Sequence, residues 1–351
     1  MNQKGFKNII LVVAIILLVG VVGYFVFVKK SEPIAQQPTL IPTQAANTFE
    51  SNPTSQLSNQ PTSSAYTNYK KMVSESFDYG DGEQQFGIMR VAGGSGPSSF
   101  STDKRNYLYI TDFQNSRVKV FDSSGKQLSI INTAQSLVDI VVDDDDNVYG
   151  YAQGSRYSLY KYDGSGSLLG KIENPSAFSE ISSSKNTYGE LYIFDNKLYI
   201  TDSQQNSYLI SLTEGNLKSE SVTKIDGIYG LSGKRYKTNY TGGGTVDIIS
   251  QAGITEKTIV VGINGLRSLV FLSEDQNGNF YIQAEISDGA GVKLQVRRYN
   301  SSGNLSTTFD IPNSDYSIWV VKLLHVDRTG DIWQVVPGEN KLFVNRWSTI
   351  Y

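Results

Sequence analysis

The stretch YLYITDFQNSRVKVFDSSG, Tyr107 to Gly125, decides the fold. It alternates apolar and polar residues, breaks at a polar turn, alternates again and stops at a glycine. That pattern is two half-buried strands joined by a turn. Taken alone it is a hairpin; taken with the rest of the chain it is one copy of a unit. Related stretches run from Asp146 to Gly166, Asp195 to Gly215, Gly278 to Gly303 and Gly330 to Tyr351. Each carries an aromatic near its start: Tyr109, Tyr149, Tyr199, Tyr281 and Trp333. The double gap between Tyr199 and Tyr281 is filled by a weaker copy, Lys234 to Gly253, with Tyr236.

The ends of the units match as well. Phe121, Tyr162, Ile249 and Tyr299 each stand four residues before a glycine, namely Gly125, Gly166, Gly253 and Gly303. Most units are preceded by a further apolar run and an acidic turn, such as VDIVVDDDDN and VKLLHVDRTGD. The unit is therefore three or four strands in roughly 37–52 residues, the size of one radial four-stranded blade. The reading is all-β: a β-propeller of six four-stranded blades closed by an N-terminal strand. The last unit supplies three strands before the chain ends, so an early segment has to supply the fourth. QQFGIMRVAGG, Gln84 to Gly94, has no blade of its own. Its strand around Phe86 to Val91 is expected to pair with Leu342 to Trp347 and remove an exposed edge. No amphipathic helix is expected in the propeller.

The opening stretch resembles the NHL repeat, through Asp112, Asn115, Arg117, Phe121, Asp122 and Gly125. Only this blade matches closely; Ser158 and Gln295 stand where Arg117 would recur. The resemblance implies a six-bladed propeller and leaves activity open, because a fold does not fix function.

Ile9 to Val28 is 20 residues without a charge, flanked by Lys4 and Lys7 before and Lys29 and Lys30 after. A helix of that length covers roughly 30 Å, the thickness of bilayer hydrocarbon. It is longer than a signal-peptide core and no small-residue cleavage site follows, so a retained anchor is expected. Lys4-Gly5-Phe6 resembles a prepilin processing site, but Ile10 stands where pilins have Glu. The organisation read from the sequence is a short tail, 1–8; a transmembrane helix, 9–28; a disordered Pro/Ser/Thr/Gln-rich spacer, 29–76; and a propeller, 77–351. The spacer is too poor in apolar residues to offset its ordering entropy. With so short a tail, the propeller is expected outside the cytoplasm.

Composition excludes several chemistries. There is no Cys, and the single His is His325. Thiolate sites, two-His acid–base pairs and His-rich metal centres are thus out of reach of one chain. Without the four anchor lysines, 27 bases face 34 acids, a balance that argues against nucleic acid. Streptogramin lyases and peptide-amidating lyases are six-bladed propellers, but they use His residues that one His cannot replace. Asp143, Asp145 and Asn147 in DDDDN offer alternate hard oxygens, the start of a calcium loop. The following glycine and distal Glu of an EF-hand are missing, so turn chemistry competes with calcium binding there. His325 reads as a packed strand residue, and Arg117, Arg156, Arg297, Arg298 and Arg346 as partners of nearby acids. The functional expectation is a membrane-anchored, extracytoplasmic module that binds protein, peptide or glycan at its loops. The alternative is a calcium-dependent hydrolase or lyase at the channel mouth.

Overall fold

The six aromatics that mark the units are all buried, and each occupies the second strand of a four-stranded antiparallel sheet. The computed structural model describes residues 68–350, apart from 91–93, 154–156, 184–187, 211, 214–215, 218–221, 288, 290, 313–315 and 319. The expected tail and anchor and most of the spacer lie outside the described residues. Among the described residues no helix is long and apolar enough to cross a membrane.

The described chain opens with β1 (Asn68–Asp78). Blade 1 is β2 (Phe100–Thr102), β3 (Leu108–Asp112), β4 (Arg117–Phe121) and β5 (Gln127–Asn132). Blade 2 is β6 (Asp139–Val142), β7 (Val148–Gln153), β8 (Tyr157–Tyr162) and β9 (Leu168–Glu173), followed by helix α1 (Ser176–Ser183). Blade 3 has β10 (Tyr188–Phe194), β11 (Lys197–Asp202) and β12 (Asn206–Ile210). A small hairpin, β13 (Leu212–Thr213) and β14 (Asn216–Leu217), then precedes its outer strand β15 (Lys224–Asp226). Blade 4 is β16 (Ile228–Tyr229), β17 (Arg235–Asn239), β18 (Thr245–Ile249) and β19 (Thr255–Val260). Blade 5 is β20 (Leu266–Glu274), β21 (Phe280–Ser287), β22 (Val292–Tyr299) and β23 (Leu305–Ile311). Blade 6 is β24 (Leu324–Val326), β25 (Ile332–Pro337) and β26 (Lys341–Ile350), completed by β1. The fold is a six-bladed β-propeller.

One turn is built four times. Between the first two strands of blades 1, 2, 5 and 6 stand Asp103, Asp143, Asp275 and Asp327. Each carboxylate accepts the backbone N–H groups two and four residues on. Each also takes the polar tip of the aromatic six residues on. Tyr149 and Tyr281 donate their hydroxyls at 3.1 and 2.9 Å, and the Trp333 Nε1–H donates at 2.9 Å. The Tyr109 contact to Asp103 is longer, at 3.4 Å. An aromatic can therefore fill the gap between blades without leaving a polar atom unpaired. Blade 3 makes its turn with Asp195 and Asn196, both at positive φ (49° and 55°), the mirror-image turn of a tight hairpin. In blade 4 the Tyr236 hydroxyl donates across to Glu274 of blade 5 at 3.1 Å.

The closing strand is not the expected one. β1 pairs antiparallel along β26, from Asn68 opposite Ile350 to Asp78 opposite Lys341. Phe86 is buried in the core beside Phe77 and Phe121, not in a ladder with β26. The propeller thus begins by Asn68, ahead of the expected boundary at Phe77, and 68–76 is strand. The ladder slips by one residue between Lys71 and Val73. A one-residue slip turns the following side chains to the other face. Tyr69 accordingly meets Phe309 of blade 5 at 5.0 Å, while Phe77 meets Phe121 of blade 1 at 5.1 Å. One strand therefore holds three blades together.

A second difference is α1. Eight residues give too little periodicity to register as amphipathic, yet Ala177, Phe178 and Ile181 are buried between blades 2 and 3. Tyr157 stacks on Phe178 at 5.2 Å.

The closure makes a direct prediction. A chain starting at Asn68 should unfold as one cooperative unit. One starting at Phe77 loses most of the β1 ladder together with Tyr69 and Val73, and should melt at least about 5 °C lower. Calorimetry of the two chains decides; equal melting temperatures would show that β1 does not close the ring.

Candidate functional site in the central channel

The six innermost strands surround a channel with a cavity of about 850 Å³. It opens on the face that carries the turns between first and second strands, among them Asp103, Asp143, Asp195 and Asp327. A charged cluster drawn from three blades adjoins it, with Glu190 and Lys322 lining the cavity and Asp139 buried in contact with Lys322. Asp139 on β6 is fully buried, and its carboxylate accepts the Leu191 N–H at 2.6 Å and the Ser99 hydroxyl. Lys322, just before β24, lies 3.4 Å from Asp139 and 3.8 Å from Glu190 on β10.

Glu190 is placed by a local irregularity. The β10–β11 ladder shifts register between Tyr188 and Leu191. The Glu190 N–H donates to the Thr201 side chain at 2.9 Å instead of to a strand partner. A bulge of this kind re-aims a side chain. It depends on Gly189, where an added Cβ would lie 2.0 Å from Thr201 Oγ1. The Glu190 side chain keeps 39% of its surface open, and that surface faces the channel. Desolvation pushes its carboxyl up to about 7, with Asp139 adding to the rise and Lys322 opposing it. His325 on β24 shares the cavity, meets Thr102 Oγ1 at 2.9 Å and stands edge-on to Phe100. Burial, reinforced by the Lys322 charge, lowers its pKa to about 3 and keeps it neutral.

Aromatic rings line the side of blades 3 and 4. Phe194 and Tyr229 stack with centroids 4.5 Å apart and 5° between planes. Tyr192 stacks on Tyr199 at 5.1 Å and donates its hydroxyl to Ser207 at 2.7 Å.

The expected calcium residues lie in the turn between β6 and β7. The Asp143 carboxylate accepts from Asp145 N–H, Asn147 N–H, Asn147 Nδ2 and the Tyr149 hydroxyl. Asp145 is exposed. Among the described residues there is no group of three or more His, Asp or Glu placed to hold a metal.

The NHL-like residues stand outside the channel, under the segment that follows β1. Arg117 pairs with Asp112 at 2.6 Å and donates to the carbonyls of Gly82 and Gln85. Asn115 donates to Asp112 and to the Gly80 carbonyl, and Asp112 accepts the Gly87 N–H at 2.7 Å. Blade 3 keeps part of the pattern, with Asn206 on Asp202. Arg346 pairs with Asp331, and Arg298 lies 3.9 Å from Asp275. Arg297 donates to Gln295 and the Val261 carbonyl. Arg156 lies outside the described residues. Asp139, Glu190 and Lys322, which the structure brings together, belong to no sequence motif. A glycine followed by an isolated Glu at the start of an apolar run, GELYIF, is the one local signal they leave.

Neither a family model nor a curated protein matches this chain. Solved structures do. A member of the DUF4221 family from Bacteroides vulgatus superposes with a TM-score of 0.50 at 12% identity, over 81% of this chain and 99% of that one. A catalytically inactive virginiamycin B lyase from Staphylococcus aureus, solved with quinupristin, gives 0.46 at 10% identity, over 81% and 100%. A streptogramin B lyase gives 0.44 at 10%, over 82% and 100%. At these identities the likeness is one of fold.

The two titrating channel residues pull stability in opposite directions. Glu190 has a raised pKa, so the fold gains stability as pH falls from about 7 to 4.5 and loses it as pH rises through 7. His325 has a lowered pKa, so the unfolded chain takes its proton first and stability falls between pH 6.5 and about 3. Glu190→Gln removes only the first effect. The variant should melt higher than the parent above pH 7, and the difference should shrink towards pH 5 in paired thermal scans. A difference independent of pH would rule out this titration.

Proposed function

We propose that this protein is a membrane-anchored, extracytoplasmic propeller of NHL-repeat type that binds protein, peptide or glycan groups in its channel mouth. The observation that carries the reading is the channel itself. It is a cavity of about 850 Å³ with a stacked aromatic pair, Phe194 and Tyr229, on one wall and a few converging polar groups at its inner end. The rest of the wall is mixed, with polar and charged side chains from every blade beside the apolar ones, and a concave site that combines ring faces with placed polar groups is where ligands usually bind. Aromatic faces serve peptide side chains and sugar rings alike. The bilayer contact is assigned to Ile9–Val28, with the residues up to Thr67 as the tether.

A second reading, a hydrolase or lyase, draws support from Glu190. A carboxyl near 7 beside an ammonium is suited to proton transfer at neutral pH. Calcium dependence belongs to this second reading only.

Full-length purified protein on peptide and glycan arrays tests the first reading. Ligands found there should bind about tenfold more weakly to Phe194→Ala or Tyr229→Ala, the loss expected of one aromatic contact. Binding indifferent to both substitutions would move the site elsewhere on the disc. Conversion of the bound ligand to product would favour the enzyme. The anchor is tested separately: protease added to intact cells should remove the propeller, and protection until lysis would reverse the topology.

A further inference from the structure

The inner end of the channel has an unbalanced charge. Asp139 and Glu190 contribute two carboxylates, and Lys322 contributes one ammonium. Lys322 is committed to Asp139, which it approaches more closely, and also faces the Ile140 carbonyl at 3.4 Å. Asp139 is further held by Ser99 and by the Leu191 N–H. His325, the remaining titratable group there, is neutral and engaged with Thr102.

The other carboxylates around the cavity are held by a cation of their own or by several hydrogen-bond donors. Asp103 holds Arg105 as well as its turn N–H groups. Asp144 pairs with Arg328 at 2.5 Å and Asp195 lies 3.8 Å from Lys197. Asp143 and Asp327 are saturated by their turns and aromatics. Lys104 reaches the Asp144 carbonyl. Glu274, from blade 5, takes both the N–H and the hydroxyl of Ser232 at 2.8 Å. Among the described residues, Glu190 is thus the channel carboxylate with a shared cation at 3.8 Å as its nearest charged partner.

We propose, resting on the reading of the channel as the ligand site, that its ligand carries an organic cation, an alkylammonium or guanidinium group, seated against Glu190. Two features favour an organic cation over a metal ion. The cavity that Glu190 lines also carries aromatic rings on the side of blades 3 and 4 (Tyr192, Phe194, Tyr229), and ring faces attract ammonium and guanidinium groups while accommodating their hydrocarbon. A divalent metal wants several oxygens within reach, and the third carboxylate is lacking among the described residues. A proton and the ligand cation then compete for the same carboxylate, so binding is strongest when Glu190 is ionised. The cation can be the side chain of a basic peptide or a free polyamine; the chemistry at Glu190 is the same.

The test uses full-length protein and calorimetric or ligand-observed titration with four probes: spermidine, a capped Lys-Phe dipeptide, its capped norleucine-Phe analogue and a capped Glu-Phe dipeptide. Spermidine or the Lys peptide should bind at least about tenfold more tightly than the norleucine and Glu peptides. The affinity should fall about tenfold from pH 8 to pH 5.5. Glu190→Gln should remove both effects, and the pH profile of the parent protein stands independently if the variant folds poorly. A preference for spermidine over the Lys peptide identifies a free amine; the reverse identifies a basic side chain. Tighter binding of the norleucine or Glu peptide, sensitive to Phe194→Ala but not to Glu190→Gln, overturns the cation proposal and leaves the channel a binding site. Binding of these probes unaffected by either substitution overturns both.

Discussion

The pairing of β1 with β26 is the constraint on which the rest depends. Blade 6 receives three strands from the C-terminal end of the described chain and one from its N-terminal end. Without the fourth, β26 would present a long unpaired edge and the ring would lack its hydrogen-bonded closure. The slip between Lys71 and Val73 lets the same strand set Tyr69 against blade 5 and Phe77 against blade 1. Joining the two ends of the described chain closes a very long loop once, after which five further blade interfaces are near neighbours in sequence.

A closed ring fixes the distances across its channel, and the chemistry follows from those distances. Asp139, Glu190 and Lys322 come from blades 2, 3 and 6, so their mutual spacing is a property of the ring and not of any blade. Two carboxylates near one ammonium leave a deficit of positive charge. Desolvation first, and then the Asp139 charge, lift the Glu190 carboxyl to about 7, against the opposing pull of Lys322.

What was legible in the sequence was whatever repeats locally. Tyr109, Tyr149, Tyr199, Tyr236, Tyr281 and Trp333 mark the second strand of each blade because each interface needs a large buried ring there. Gly125, Gly166, Gly253 and Gly303 mark the last turn because each is at positive φ, between 79° and 92°. β1 was not legible. An outer strand is paired along one edge, and NYKKMVSESFD carries Lys, Ser and Glu where an inner strand would carry Val and Ile; Val73 is its one fully buried apolar residue. Its composition therefore merged with the spacer. The channel cluster was illegible for another reason: Asp139, Glu190 and Lys322 are separated by long stretches of chain, and nothing in local pattern says that three innermost strands bring them together.

The NHL-like residues of blade 1 connect these two levels. Asp112, Asn115 and Arg117 grip the segment from Gly80 to Gly87 that leads from β1 into the ring, and blade 1 alone receives that segment. This accounts for a pattern that is complete in one blade and partial elsewhere. The chain then reaches Ser98 and Ser99. The Ser98 carbonyl accepts the N–H groups of Val321 and Lys322, from blade 6, at 2.8 and 3.2 Å. The two serine hydroxyls donate to the Val138 carbonyl and to Asp139, from blade 2. The Lys322–Asp139 pair is therefore bridged by Ser98 and Ser99, just ahead of β2. Backbone just ahead of β2 thus ties blade 6 to blade 2 beside the pair, so the spacing of these charges is set at the seam where the ring closes.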